Sequence, residues 1–395
     1  MAQNAVTARA ACDYTGGMKR EVITRLAGVG RDDWNRVAGT GNPFLRHEFL
    51  AALEASGCTG GDSGWQARHL LLRDDAGALL GAVPLYLKSH SYGEYVFDWA
   101  WADAYARAGL RYYPKLVAAV PFTPVTGPRL LIAPQVERDP VASALIDGAL
   151  ELAEASASSS LHWLFTPPAE CALLESRGLL RRVGYQFHWQ NRGYRDFDDY
   201  LAGFAAAKRK KIRRERRQVR EAGITLEVVR GAEAGAAHWN AFHAFYRDTV
   251  RKHGAIPYLN REFFHELGRQ LPEAVVLILA RHGDEWVAGA LNLQGADTLY
   301  GRYWGGREGY HSLHFETCYY RAIEYCIDTG LARCEAGAQG EHKLARGFLP
   351  VPTYSAHWLR HPQFAHAVSD YLARERQGLE LYLAELDGHS PFKQS

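Results

Sequence analysis

The sequence predicts two tandem α/β domains, each a mixed sheet flanked by helices. Three observations carry that expectation. A chain of 395 residues, 47% of them hydrophobic, exceeds what one ordinary core buries. Its second half alternates strand-like and helix-like periodicity in the order β-α-α-β-β-β-α-β-α-β. Its first half runs through a looser version of the same order.

From the N-terminus, residues 1–20 read as a loose leader, and Glu21–Leu26 alternates like a strand. A helix is expected at Arg46–Ser56. A hairpin follows at His69–Arg73 and Leu79–Lys88, turned by Asp74-Asp75-Ala76-Gly77. Helices are expected near Tyr112–Ala119 and at Val141–Ala157, with Pro121, Pro124 and Pro128 marking an irregular loop between them. A strand at Leu161–Phe165, a helix at Pro168–Arg177 and a strand at Val183–Trp189 close the first domain, 21–195.

The second domain, 196–395, opens on a helix at Phe204–Ala222 that Gly223 stops as a left-handed cap. Ile224–Arg230 has the β-branched alternation of a strand, and Ala234–Lys252 and Arg261–Gln270 read as helices. Strands at Ala274–Arg281 and Glu285–Leu293 turn at His282-Gly283-Asp284, and Thr298–Trp304 is a third. A long helix, Ser312–Thr329, leads to a buried strand at Leu331–Glu335. A short helix near Glu341–Arg346, a strand at Tyr354–Leu359 and an amphipathic helix at Ala365–Glu385 complete the chain.

Composition narrows the function classes. The net charge is only +2, yet Lys208–Glu221 alone holds nine Lys/Arg against two Glu, so the basicity is local. The six cysteines show no CxxC and no Cys/His ligand spacing, which argues against a structural zinc and for free thiols in a reducing compartment. No metal and no tightly bound redox cofactor are implied. With no apolar run near the ~20 residues of a membrane span and no signal-peptide pattern, a cytoplasmic protein is expected.

Several stretches resemble a known family. Asn42–Leu50 (NPFLRHEFL), the basic helix Lys208–Gly223 (KRKKIRRERRQVREAG) and Tyr300–Phe348 are similar to segments of the FemAB/FemX group, which builds peptidoglycan cross-bridges with two GNAT-like acyltransferase domains. Lys88–Trp99 (KSHSYGEYVFDW), Tyr112–Leu116 (YYPKL), Pro121–Pro124 and Gly340-Glu341-His342-Lys343 resemble a bacterial branch of FemAB-like, peptidoglycan biosynthesis/recognition proteins. The resemblance implies tandem GNAT-like domains and transfer of an acyl or aminoacyl group to an amine, on a peptidoglycan precursor or similar polar acceptor. It places the chemistry in the second domain. The segment Arg302–Tyr310 departs from the loop on which acetyl-CoA enzymes of this fold hold the pyrophosphate, so the donor is aminoacyl-tRNA or acetyl-CoA. Two alternatives stand beside this reading: an acetyl-CoA-dependent N-acetyltransferase of a small molecule, and a non-catalytic module binding a cell-wall fragment or RNA.

Acyl transfer to an amine needs a base for the nucleophile and donors for the developing oxyanion. Glu341 or His342 is the candidate base, with Lys343 and Arg346 to bind phosphate or carboxylate. Glu316, set among aromatics on the long helix, is a second candidate base or an ion-pair partner. Tyr303, Trp304 and His314 adjoin it as substrate contacts. On the basic helix, Ile212 and Val219 anchor one side, which leaves Lys208, Arg209 and Arg213 to meet phosphates of tRNA or of a nucleotide-linked precursor. In the first domain, Lys88, His90, Tyr92 and Glu94 are candidate contacts to a polar acceptor.

Overall fold

The computed structural model describes residues 11–15, 17–338 and 340–393, without the side chains of 11–15 and 387. The chain divides into two compact units, each built from more than one segment of the sequence. One comprises Met1–Thr40, Phe44–Arg182 and Tyr354–Ala373; the other comprises Gly41–Pro43, Val183–Thr353 and Arg374–Ser395. This division differs from contiguous domains at 21–195 and 196–395, because the chain returns to the first unit after Thr353.

In the first unit, Ala11–Thr15, Met18–Ile23, His69–Asp74, Leu79–Val83 and Leu131–Ile132 form an antiparallel sheet in that order. The leader expected over 1–20 therefore contains one strand and the start of a second. Pro84, with no N–H to give a ladder, divides the expected strand Leu79–Lys88 into Leu79–Val83 and Leu85–Lys88. Leu85–Lys88 pairs with Trp65–Ala67 and Lys115–Ala118, and Lys115–Ala118 runs parallel to Ser160–Thr166. Residues Tyr354–Leu359 of the strand Leu349–Leu359 lie antiparallel to that last strand. The helix Arg138–Ala155 packs Leu145, Ile146 and Ala149 into this core.

The helix expected near Tyr112–Ala119 is instead the strand Lys115–Ala118, buried at all four positions. A short apolar run reads equally as helix or buried strand, and pairing with Leu161 and His162 decides it. Helices at Arg31–Ala38, Trp99–Arg107 and Phe197–Ala202 were not marked by the sequence pattern. The proline-rich loop is held from within. The buried Arg129 guanidinium donates to the carbonyls of Leu164 (3.0 Å), Gly127 (2.9 Å) and Val125 (2.9 Å), while Glu170 accepts from the Arg129 and Leu130 amides.

In the second unit the strand order is Ile224–Arg230, Val275–His282, Glu285–Gln294, Thr298–Gly306, Arg333–Glu335 and Leu180–Gln190, the last contributing Val183–Gln190. All neighbours are antiparallel except Thr298–Gly306 and Arg333–Glu335, which are parallel. Parallel neighbours need a crossover, and the long helix supplies it. That helix runs as Leu313–Phe315, a π segment Glu316–Tyr320, and Arg321–Thr329. The basic helix spans Ala206–Glu221 and ends at Gly223 with φ +72°, the left-handed cap its sequence predicts. Tyr320, Ile323 and Cys326 of the long helix meet Ile212, Val276, Ile278 and Leu299 in the core.

Candidate functional site

The parallel pairing in the second unit is short, and that brevity makes the site. Only Thr298, Leu299 and Tyr300 pair with Arg333, Cys334 and Glu335. From Gly301 to Gly306 the longer strand keeps its antiparallel partner Glu285–Gln294, while the neighbouring strand has ended at Glu335. A register shift between Leu291 and Asn292 makes Arg302 the extra residue at this point, a bulge beside the opening. A cavity of about 70 Å³ lies there, lined among others by Gly301, Arg302, Tyr303, Trp304, His314 and Tyr319.

The lining draws on both faces of the sheet. Tyr303 packs edge-on to Tyr246 and Phe264 of the helices Ala236–Lys252 and Arg261–Gln270. Trp304 lies 5.3 Å, centroid to centroid, from His314 of the long helix. Gly301 is glycine for a packing reason: a Cβ there would sit 3.2 Å from the Glu335 carbonyl oxygen and 3.4 Å from Asn292 Oδ1.

On the helix face, His342 joins the cluster. Its Nε2 is 2.8 Å from Tyr319 Oη, and its ring lies against His314, Phe315 and Tyr319. The residue is exposed on its outer side; desolvation of the ring against the cluster, then Arg346 and Lys343, lowers its pKa below the usual imidazole value, so His342 is neutral near pH 7. His314 is pushed further, to about 4, chiefly by burial. Tyr319 moves the other way, well above the usual phenol value, because burial disfavours the phenolate. The pair thus holds one neutral imidazole, able to take a proton, beside one phenol that keeps its own at neutral pH.

Around it, the segment Glu341–Arg346 is a 3-10 turn fixed at both ends. Gly347 holds φ +82°, and a Cβ there would collide with the Tyr200 hydroxyl, so only glycine fits. Arg346 is buried: its guanidinium donates to both oxygens of Glu215 at 2.9 and 3.0 Å and stacks 3.4 Å over the Phe315 ring. Lys343 is also buried, donating to the Gly337 carbonyl at 2.9 Å, and burial lowers its pKa to about 8. Both side chains are committed inside the fold.

The other sequence candidates fall elsewhere. Glu341 is exposed and accepts from Tyr382 Oη at 2.5 Å. Glu316 is buried, and burial raises its pKa, but Arg216 Nε and Nη2 grip the carboxylate at 3.0 and 2.9 Å. It lies in an ion-pair network with Arg216 and Glu324, apart from the cavity lining. On the basic helix, Ile212 and Val219 face inward as their spacing predicts, and Glu215 joins them. Lys208 and Arg213 are exposed, Arg213 beside Asp198 at 3.2 Å, and Arg209 is half-buried. Arg213, Arg216, Arg217 and Arg220 line a separate cavity of about 560 Å³ with Asp196, Asp198 and Glu324.

In the first unit, Lys88 and Glu94 are buried within a charge network. Lys115 Nζ donates to Glu94 at 2.7 Å and Ser91 at 2.8 Å, and it also binds Asp98. Asp98 accepts from Tyr112 Oη at 2.6 Å, and Tyr112 leads on through His162 to His357. Lys88 sits over the Trp65 ring at 3.7 Å and donates to the Tyr92 carbonyl; burial lowers its pKa to about 7. His90 is half-buried, its Nδ1 accepting from the Tyr92 amide, while the Tyr92 side chain is 55% exposed and packs on Trp99.

The sequence pattern did not mark Tyr319 as a reacting group or Glu335 at all. Tyr319 had one signal, its place beside a histidine and a glutamate on the long helix; Glu335 had none.

Among the described residues, no group of three or more His, Cys, Asp or Glu is placed to hold a metal ion, and no helix is long and apolar enough to cross a membrane. The element order around the opening, and the repeat of α/β units, define a tandem GNAT-like acyltransferase fold. The model of the FemAB-like family, described as peptidoglycan biosynthesis/recognition, matches residues 25–394, and the chain belongs to that family. No curated protein matches it. Among solved structures it is similar to FemX, with a TM-score of 0.53 and 11% identity over 86% of this chain and 97% of FemX. It is also similar to the C-terminal domain of an Agrobacterium fabrum protein assigned as a lysylphosphatidylglycerol synthetase, with a TM-score of 0.53 and 9% identity over 86% of this chain and 96% of that one.

Proposed function

We propose that this protein transfers an acyl or aminoacyl group to an amine, at the opening between Thr298–Gly306 and Arg333–Glu335. The observation that carries this reading is the Tyr319–His342 hydrogen bond at the rim of that opening. Cleaving an ester or thioester donor leaves an oxygen or sulfur that needs a proton. Tyr319 supplies it, and His342, neutral near pH 7, passes the proton on. The acceptor is a peptidoglycan precursor or a similarly polar amine; the description of the family supports that class.

Aminoacyl-tRNA is the donor favoured here. Lys208, Lys210, Lys211, Arg213 and Arg214 are exposed along one helix, a run of charge suited to a phosphate backbone. The segment ahead of the long helix, Arg302–Tyr310, departs from the loop on which acetyl-CoA enzymes of this fold hold the pyrophosphate. Acetyl-CoA transfer to a small amine is the rival within enzymes.

Label transfer separates these readings. The protein is incubated with radiolabelled aminoacyl-tRNA or acetyl-CoA and a pool of cell-wall precursors. Transfer from charged tRNA is expected. Transfer from acetyl-CoA alone would overturn the donor, and tight precursor binding with no transfer from either would overturn the enzyme. Tyr319→Phe and His342→Ala should each lower kcat by about 10²-fold, whereas Glu341→Gln should change it little.

A further inference from the structure

The strand that ends at the opening ends on a buried carboxylate. Glu335 is 7% exposed, and among the described residues its Oε2 has no hydrogen-bond partner. Register places it in a row across three strands: His188 pairs with Glu335, and Glu335 with Tyr300. His188 Nδ1 is 3.8 Å from Glu335 Oε1, beyond a hydrogen bond.

The tautomer explains the gap. His188 Nε2 lies 3.2 Å from Gln186 Oε1, an acceptor, so Nε2 carries the proton. Nδ1 then presents a lone pair to the carboxylate. With Glu335 ionised, two acceptors face each other with no donor between them. Burial pushes His188 down to about 3, so the ring does not resolve the conflict by protonating. The same burial, against the pull of Arg333 and Arg302, raises Glu335 to about 7.

No charged or titratable neighbour, Arg302 included, hydrogen-bonds to Glu335 Oε2 among the described residues. Arg333 is paired with Asp297 at 3.1 Å. Lys343 is held by the Gly337 carbonyl. The Tyr300 phenol is raised by burial and by Glu335 itself. The missing piece is a compact group bearing several N–H donors and a positive charge, and a primary ammonium has that form. The cavity through which it would arrive is adjacent: Gly301, Arg302 and Ala336 line it, and Ala336 follows Glu335 directly.

We propose that Glu335 and His188 hold the primary amine of the acceptor, and that the Glu335 carboxylate takes the proton this ammonium must shed. The assignment rests on the transferase reading above. The balance is complete. The ammonium gives one proton to Glu335, and the free amine forms the C–N bond as the C–O or C–S bond to the donor breaks. The leaving oxygen or sulfur takes a proton from the Tyr319–His342 pair, and the second proton shed by the nitrogen restores that pair. Glu335 returns its proton to solvent.

Two measurements test this. In the transfer assay, kcat/KM of the wild type should rise with pH through about 7, and Glu335→Gln should lose at least 100-fold and that limb of the profile. A Glu335→Gln enzyme with an unchanged profile overturns the assignment while the transferase stands. The second measurement needs no turnover. In protein labelled at glutamate 13Cδ, with the Glu335 signal identified by its loss in Glu335→Gln or in Glu335→Asp, methylammonium should lower the midpoint of that signal by a unit or more. A signal indifferent to methylammonium overturns the assignment. A signal that responds, in a protein that transfers nothing from either donor, upholds the amine site and removes the transferase.

Discussion

The two units bury the same kinds of residue in opposite conditions. In the first, Lys115 stands between Glu94 and Asp98, with Ser91 and Tyr112 completing the shell. Asp98 is held down at about 2: burial works to raise it, and Lys115 and His162 more than offset that, while its neighbour Glu94 is raised to about 7 by burial although Lys115 bonds it. In the second, Glu335 has no cation bonded to it among the described residues, and burial prevails at about 7. The difference teaches what distinguishes a scaffold from a site. The raised pKa is common to Glu94 and Glu335; what separates them is a bonded cation, which Glu94 has in Lys115 and Glu335 lacks among the described residues, and in our proposal the acceptor's ammonium takes that place. Lys88, His90, Tyr92 and Glu94 read as acceptor contacts in the sequence because their loop packs polar and aromatic residues together; the structure buries Lys88 and Glu94 in the Lys115 network.

The strongest way to break the comparison is Lys115→Met. It removes the cation and leaves Glu94 and Asp98 buried beside each other, with only Lys88 at 4.0 Å from Glu94. Breaking a buried pair in this way costs about 3–5 kcal/mol. The stabilisation that Asp98 provides is present above its unfolded pKa near 3.8 and fades as pH falls toward 2, so the variant should be closest to wild type in acid. Urea melts at pH 7 and pH 3 check both points. A loss under about 1 kcal/mol at pH 7 would mean that the network is not what holds the unit together.

Glu335→Gln sharpens the other side, with an effect on stability opposite in sign. A carboxyl raised to about 7 when folded binds a proton more tightly than the unfolded chain does. Its contribution is fully present below about 4.5 and is lost as pH rises through about 7. Gln cannot ionise, so the variant should avoid the loss that wild type suffers between pH 4.5 and 8. That difference is about 3 kcal/mol from a shift of this size. Parallel pH-dependent melts of the two proteins would show it as curves that cross; curves that stay parallel would mean that Glu335 already has a cation.

How much of this was legible beforehand follows from range. Strands such as Ile224–Arg230 and the cap at Gly223 depend on neighbours a few residues away, and the sequence pattern carries them. The inward side of the basic helix was half legible. Ile212 and Val219 declare themselves by spacing, but Glu215 hides in a charge run because its partners, Arg346 and Tyr320, come from distant segments. Lys115–Ala118 was missed for the same reason, since its strand partners lie far along the chain. Glu335 depends on register with His188 and Tyr300, which no local pattern encodes.

The basic helix supplies the smallest effect and a control on both sides. Its outer charges are neither locked in a network nor left without a counter-ion in the interior; they face solvent. Replacing Lys208, Arg209 and Arg213 by Ala removes one half-buried and two exposed cations, and with them the exposed ion pair of Arg213 to Asp198. Exposed pairs are worth roughly 0–1 kcal/mol, so stability should shift by less than about 1 kcal/mol in total. Binding should change far more than folding. Each phosphate that the helix no longer neutralises lowers the slope of log affinity against log salt by about 0.7–0.9, so the triple variant should flatten the slope for tRNA by about 2. Filter binding of tRNA across a salt series measures it. An unaltered slope would make this face of the helix a solvated surface, with any hold on nucleic acid left to Arg217 and Arg220 beside the larger cavity.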